Sequence, residues 1–87
     1  MQKIITATGR EFIVEWCGQS TIDFTLRFAI KNNNMAEVIN VFMNPVETST
    51  IIHEMDEMGT RTIYTGFTTF RGVDAKPDGT IVVSLMQ

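Results

Sequence analysis

The ten residues TIDFTLRFAI at positions 21–30 carry the clearest fold signal, because their apolar side chains recur at every second position. The apolar set comprises Ile22, Phe24, Leu26, Phe28 and Ile30. A strand places alternate side chains on one face of a sheet, whereas a helix would scatter the same side chains around its axis. The pattern therefore predicts a half-buried β-strand over residues 21–30, with Phe24 and Phe28 facing the core.

The residues before this strand predict a β-hairpin. Two β-prone runs, at residues 4–8 and 11–17, flank Gly9-Arg10, and glycine at the first position of a two-residue loop suits a type II′ turn. The resulting register pairs Ala7 with Phe12, Ile5 with Val14, and Lys3 with Trp16. Five of these six side chains are apolar, so the face that they share is predicted to be buried.

The residues after this strand predict one short helix, over residues 35–43. Asparagines at 32–34 break the strand, and Asn34 is the predicted N-cap because Glu37 follows three residues later, as in a capping box. Pro45 cannot continue a helix and biases the residue before it away from helical angles. Helical spacing aligns one apolar stripe, formed by Met35, Val38, Ile39 and Phe42.

The second half of the chain predicts three further strands, at residues 50–55, 60–70 and 80–86. Gly66 interrupts the middle strand and is predicted to mark a bulge. The last strand places Ile81, Val83 and Leu85 on one face. The order β-β-β-α-β-β-β predicts an α+β fold with a mainly antiparallel sheet or a partial barrel, in a single domain over residues 1–87.

Composition argues against several function classes. The chain carries ten acidic and seven basic residues, and its bases are scattered singly, which argues against nucleic-acid binding. One cysteine cannot form an intramolecular disulfide, and Cys17 with His53 supplies only two ligands where a closed zinc site needs about four. No apolar run approaches the roughly 20 residues that span a bilayer. We therefore expect no nucleic-acid or membrane partner, no metal and no cofactor.

Two constellations could carry chemistry, and a structural role is favoured for each. Cys17 and His53 resemble a nucleophile and its base, but nothing in their spacing brings them together, and a free cysteine packs well as a small apolar residue. Glu54, Asp56 and Glu57 form an acidic cluster that lacks the calcium-loop pattern, so a solvated turn is favoured. We expect no catalytic residues and no enzymatic activity.

Apolar residues on both faces of several strands predict an interaction surface. Ile51-Ile52, Ile63-Tyr64 and Ile81-Val82-Val83 have this property, and one nine-residue helix cannot cover both faces of a sheet. Either the sheet closes on itself or a partner covers the remainder, and we expect self-association or docking into an assembly. The candidate interaction residues are Ile52, Tyr64, Phe67, Phe70 and Val82.

Several short motifs distributed over most of the chain carry a family resemblance. They are the segment TGREF at 8–12 running into WCG at 16–18, Glu37 and Phe42 before Asn44-Pro45, residues 48–51, YTGFT at 64–68 and VSL at 83–85. With these motifs the chain resembles small phage- and prophage-encoded proteins of Gram-positive hosts, which are often encoded near virion structural genes.

The resemblance implies a non-enzymatic virion component or accessory factor of the tail. Its partners would be other virion proteins or further copies of itself, and its location would be the host cytoplasm or the assembled virion. The alternative is a small phage effector that binds and inhibits a host protein.

Overall fold

The computed structural model describes residues 1–31 and 34–87, so the predicted strand break at Asn32 and Asn33 lies outside the described residues. These residues form a seven-stranded antiparallel sheet with the strand order β5-β4-β1-β2-β3-β7-β6. The predicted α+β class with a mainly antiparallel sheet is confirmed, with seven strands instead of six. The elements are β1 (Gln2–Ile5), β2 (Glu11–Gln19), β3 (Leu26–Ile30), α1 (Met35–Phe42), α2 (Pro45–Thr48), β4 (Thr50–Glu54), β5 (Arg61–Thr65), β6 (Thr69–Ala75) and β7 (Ile81–Met86).

One face of the sheet, the inner face, packs against α1 and forms the core. Phe42 of the helix lies 5.2 Å from Phe12 and 5.0 Å from Phe28 between ring centroids, so three aromatic rings join helix to sheet. The side chains that the last strand was predicted to bury, Ile81, Val83 and Leu85, belong to this core. The helix is therefore held by tertiary packing, which a helix of eight residues requires.

The helix begins and ends close to its predicted limits. The Asn34 side chain accepts a hydrogen bond of 3.1 Å from the backbone N–H of Glu37, as an N-cap does. The helix ends at Phe42, and Pro45 starts the single turn α2, where its missing N–H is not needed. Val38 and Phe42 of the predicted stripe are buried, and Met35 is half-buried against the core. Ile39 is half-buried, and Val41, which the predicted stripe omits, is buried.

The sheet is strongly curled, and its two edges meet at one corner. The three residues 66–68 connect β5 to β6, although these strands lie at opposite edges of the sheet. Each neighbouring pair of strands in the sheet is antiparallel, and six such pairs lie between β5 and β6, so these two strands run in the same direction. Two parallel strands that lie side by side need a connection of about a dozen residues or more. The strands therefore diverge from the corner at residues 66–68, which leaves the sheet open.

The predicted hairpin register is wrong. The structure pairs Ile4 with Phe12 and Ile5 with Glu11, because the loop spans residues 6–10 instead of two residues. This shift of three residues turns the other face of β1 inward, so that Ile4 is fully buried and Ile5 is half-buried. A bulge in β2 between Val14 and Trp16 then turns the Trp16 side chain outward, where it is 44% exposed.

The predicted strand over residues 21–30 is about half as long in the structure. Strand β3 begins at Leu26, residues 21–23 form an exposed turn before it, and Thr25 is already buried. Ile22 is 91% exposed and Phe24 is 64% exposed, so the prediction that Phe24 faces the core is wrong. Phe24 has a φ of 58°, in the left-handed region, which interrupts the strand.

The predicted strand over residues 60–70 is two strands, and Gly66 marks the corner between them instead of a bulge. Gly66 has a φ of 80°, a conformation that glycine adopts without steric cost. The following residue, Phe67, is 2% exposed and packs edge-on against Tyr64 at 6.0 Å between ring centroids. The corner at residues 66–68, with the rings of Tyr64 and Phe67, therefore packs against the core.

Candidate interaction surface at a free sheet edge

The five predicted interaction residues do not form one surface. Phe67 is buried, and Tyr64 and Phe70 are partly buried because they pack against the core cluster. Ile52 and Val82 lie on the outer face, since each alternates with a buried neighbour, but they stand on β4 and β7, which three strands separate. The chain itself covers Phe67, so that residue is not available to a partner.

The free edge of β5 is the best candidate for an interaction surface. At one end of the β4–β5 hairpin, the backbone N–H of Met55 donates to the carbonyl of Thr60 at 2.8 Å. At the other end, the N–H of Gly66 donates to the carbonyl of Ser49 at 3.1 Å. Antiparallel pairs alternate between bonded and non-bonded, so the residues at 61, 63 and 65 direct their N–H and C=O groups away from β4.

One of these outward groups already has a partner within the chain. The Thr65 carbonyl oxygen accepts a hydrogen bond of 3.4 Å from the side-chain amide of Gln87. The other outward groups on the edge belong to Arg61 and Ile63, whose side chains are also exposed. This edge is therefore a row of backbone donors and acceptors of the kind that an added strand pairs with.

A row of isoleucines crosses the outer face next to this edge. Ile63 pairs with Ile52, which in turn pairs with Ile5 on β1. Ile63 is 58% exposed, and the other two are half-buried. We call these three side chains the isoleucine row. Its members stand directly opposite one another on neighbouring strands, so the row presents a continuous apolar strip that ends at the free edge.

The opposite edge, β6, carries features that discourage strand addition. A bulge between Phe70 and Gly72 breaks its regular spacing, and Gly72 has a φ of 143°, which favours glycine. Asp74 and Lys76 form an exposed ion pair of 2.8 Å at the end of the strand. Bulges and charged side chains are common protections of an edge strand. Strand β5 has no bulge and no proline, and its one charged residue, Arg61 at its first position, is paired with Glu54.

A buried carboxylate joins the β1–β2 loop to α2, and sequence reasoning missed it. Glu47 accepts hydrogen bonds from the hydroxyls of Thr6, at 2.9 Å, and Thr8, and it pairs with the Arg10 guanidinium at 3.0 Å. The Thr8 hydrogen bond is the main cause that lowers the pKa of Glu47, followed by Thr6 and Arg10. About 40 residues of sequence separate these partners, so no local pattern could have indicated the contact.

A polar cleft of about 460 Å³ lies beside this network, between the loop and the exposed face of α1. Arg10 and Glu47 both line the cleft, but their opposite charges already pair with each other at 3.0 Å. We therefore assign the pair a structural role, in which it fixes the five-residue loop that sets the β1–β2 register.

Cys17 and His53 are far apart. His53 pairs with Ile4, which pairs with Phe12, and Cys17 lies five residues further along β2, about 16 Å at the rise of a strand. Burial raises the pKa of the Cys17 thiol to about 12 and lowers the pKa of His53. The His53 Nε2 atom lies 2.8 Å from Gln2 Oε1, so the imidazole has a structural hydrogen bond.

The acidic cluster forms the turn between β4 and β5. Asp56 accepts hydrogen bonds from the backbone N–H groups of Met58 and Thr60, both at 3.0 Å. Glu54 pairs with Arg61 at 3.1 Å. In the described residues, no three His, Cys, Asp or Glu side chains lie close enough together to hold a metal ion.

The basic side chains are dispersed and mostly paired. Within residues 1–31 and 34–87, six of the seven lie within 4.0 Å of a carboxylate: Lys3, Arg10, Arg27, Lys31, Arg61 and Lys76. Separately, none of the described helices is long and apolar enough to cross a membrane.

Comparisons with models of protein families, with curated proteins and with solved structures find no match to this chain. The arguments about its function therefore rest on its own residues and their arrangement.

Proposed function

We propose that this chain is a non-enzymatic structural or interaction protein of a phage or prophage, acting as an assembly component of the virion tail. The free β5 edge beside the isoleucine row carries the proposal that it works by protein–protein contact. The sequence resemblance described above directs the proposal to phage. In this proposal the protein folds as a partial barrel in the host cytoplasm, uses no cofactor, and enters the virion with its partner.

The proposed mode of contact is strand addition. An extended segment that pairs with β5 would satisfy the outward N–H and C=O groups at 61, 63 and 65, and its side chains would extend the isoleucine row. Main-chain hydrogen bonds give such a contact its affinity, while the alternating side chains give it specificity. Neither requirement depends on titratable or metal-binding groups.

The test is the protein content of purified particles. Particles from the host that encodes this chain are analysed by quantitative mass spectrometry, with the wild-type gene and with Ile63→Pro. Proline removes an N–H that points away from β4, so the variant loses no internal ladder bond. We expect a fixed number of copies per particle for the wild type and for the control Ile63→Val, and a loss of the chain with Ile63→Pro.

Absence of the wild-type chain from particles would contradict the assembly function. In that case the chain's genetic neighbours and its stable complexes in host extracts would decide the alternative, an effector that inhibits a host protein. A position between head or tail genes supports assembly, whereas a position among early or lysogeny genes supports the effector.

A further inference from the structure

We propose that the β5 edge pairs with the β5 edge of a second copy of this chain, as an antiparallel two-fold pair centred on Ile63. The inference rests on the proposed function, because it names the chain that occupies the edge. When the same edge of two identical chains meets about a two-fold axis, each residue pairs with its mirror position in the other copy, and the contact is isologous. The two residue numbers of every pair therefore add up to the same value.

The backbone of β5 fits this arrangement. With Ile63 opposite Ile63 of the second copy, Arg61 stands opposite Thr65 and Thr65 opposite Arg61. All three residues direct N–H and C=O groups outward, so the central Ile63 pair can exchange two hydrogen bonds. Each Arg61–Thr65 pair can do the same once the Gln87 amide releases the Thr65 carbonyl. The strand is regular over its five residues, which keeps the spacing of the outward groups even.

The side chains fit the same register. The isoleucine rows of the two copies meet at the axis and form one strip of six isoleucines across the outer face. Arg61, which Glu54 already neutralises, faces a threonine of the second copy instead of another charge. Cross-strand pairs of β-branched side chains stabilise a sheet, and directly opposed like charges destabilise it.

The neighbouring registers fit less well. Moving the axis to Arg61 would set two guanidinium groups directly opposite each other, which is unfavourable. Moving it to Thr65 would set Ile63 opposite Phe67, which is buried and lies outside the strand. Moving it to Thr62 or Tyr64 would centre the pair on residues whose backbone groups face β4. The register centred on Ile63 is the one that both backbone and side chains favour.

Two features set the strength of this contact. Two five-residue strands and one apolar row make a small interface, so the dimer is expected to be weak and to depend on concentration. The Gln87 side-chain amide donates a hydrogen bond of 3.4 Å to the Thr65 carbonyl oxygen. In the dimer the backbone N–H of Arg61 from the second copy would compete for the same oxygen. Gln87→Ala should therefore strengthen the association.

The first test is sedimentation equilibrium of the full chain over a range of concentrations up to about 1 mM, where weak contacts become populated. The mass of the wild type and of Ile63→Val is expected to rise from one chain towards two, whereas Ile63→Pro remains a single chain. A wild type that remains a single chain throughout would overturn the inference, and so would an Ile63→Pro variant that dimerises equally well.

The second test does not depend on a proline variant that folds. Ile63→Cys places two thiols at the axis, where bonded antiparallel partners lie about 5.5 Å apart between Cα atoms, within the range of a disulfide. Asp74→Cys, on the exposed β6 edge, is the matched control. Both variants share the native Cys17, whose pKa burial raises to about 12, so any cross-link through that thiol is common to the two. Oxidation should cross-link Ile63→Cys at least tenfold more completely than the control, and equal yields would contradict the proposed pairing.

The two proposals can fail separately. If the wild type is a single chain but Ile63→Pro still removes it from particles, the edge binds a different protein, so the proposed function stands and the self-pairing fails. If the chain dimerises through Ile63 but is absent from particles, the self-pairing stands and the assembly function fails.

Discussion

The two faces of the sheet differ in how completely the chain covers them. On the inner face Ile4, Phe28 and Ile51 are fully buried beneath α1 and the curled sheet. On the outer face the chemically similar Ile63 is 58% exposed, and its row ends at a free edge. Isoleucine therefore serves both as core and as surface in this protein, and the register of each strand determines which role it has.

The largest expected effect contrasts two phenylalanines of one predicted strand. Phe28→Ala empties a fully buried site and is expected to lower the free energy of unfolding by about 3–5 kcal/mol. Phe24→Ala removes a ring that is mostly in solvent and should cost less than about 1 kcal/mol. Urea denaturation of both variants measures the difference, and similar losses would show that residue 24 contributes to the core.

The next effect contrasts a buried charge with an exposed one. Glu47→Gln leaves the Thr6 and Thr8 hydroxyls and Arg10 with a weaker partner, and should cost about 1–3 kcal/mol. Asp74→Asn breaks a solvent-exposed pair with Lys76, and such pairs contribute little to stability, so the urea midpoint should change little. Equal losses in urea denaturation would contradict the structural role of Glu47.

The same contrast should be visible in the acid range. Because the folded pKa of Glu47 is lowered, its contribution to stability is present above its ordinary pKa of 4.5 and is lost as the pH falls through 4.5 towards the folded value. The acid limb of the stability curve should therefore be shallower in Glu47→Gln than in the wild type.

His53 gives a smaller effect at a higher pH. Burial lowers its pKa below the ordinary 6.5, so the unfolded chain binds a proton more readily than the folded chain. Stability is therefore expected to fall as the pH drops through 6.5 towards the folded pKa. Urea denaturation at pH 7.5 and 5.5 measures this loss, which should be reduced in His53→Gln; an unchanged loss would assign the effect to other groups.

The smallest effect is expected on the outer face. Ile63→Thr keeps a β-branched side chain and the backbone N–H, and it changes a residue that solvent already reaches. The free energy of unfolding at low protein concentration should change by no more than about 0.5 kcal/mol. A loss of about 2 kcal/mol or more would mean that the isoleucine row belongs to the core of the single chain.

Local sequence signals predicted the elements that short-range chemistry determines. Asn34 as a cap, the helix that it starts, the acidic turn at Asp56 and the inward alternation from Ile81 to Leu85 are all present. Each of these depends on hydrogen bonds or spacing within a few residues, which a sequence displays directly.

The errors arose where one residue changed the direction of the backbone. Alternation continues through Phe24 in the sequence, but its left-handed conformation ends the strand there. The bulge after Val14 reverses the side of Trp16, and the loop held by Glu47 shifts the register of β1. The free edge itself could not be predicted, because the strand order defines an edge, and in the sequence Ile63 is one of several apolar residues with nothing to distinguish it.

The strand order also has a consequence for how the chain folds. Strands β1 to β3 form one local unit, and the hairpins β4–β5 and β6–β7 form two more. Among residues 1–31 and 34–87, the ladders that join the three units are β1–β4 and β3–β7, and each connects segments separated by about 50 residues of sequence. We expect these two long-range steps to limit the rate of refolding, in the range of milliseconds to seconds. Refolding followed by stopped flow tests this, because a microsecond rate would mean that local contacts suffice.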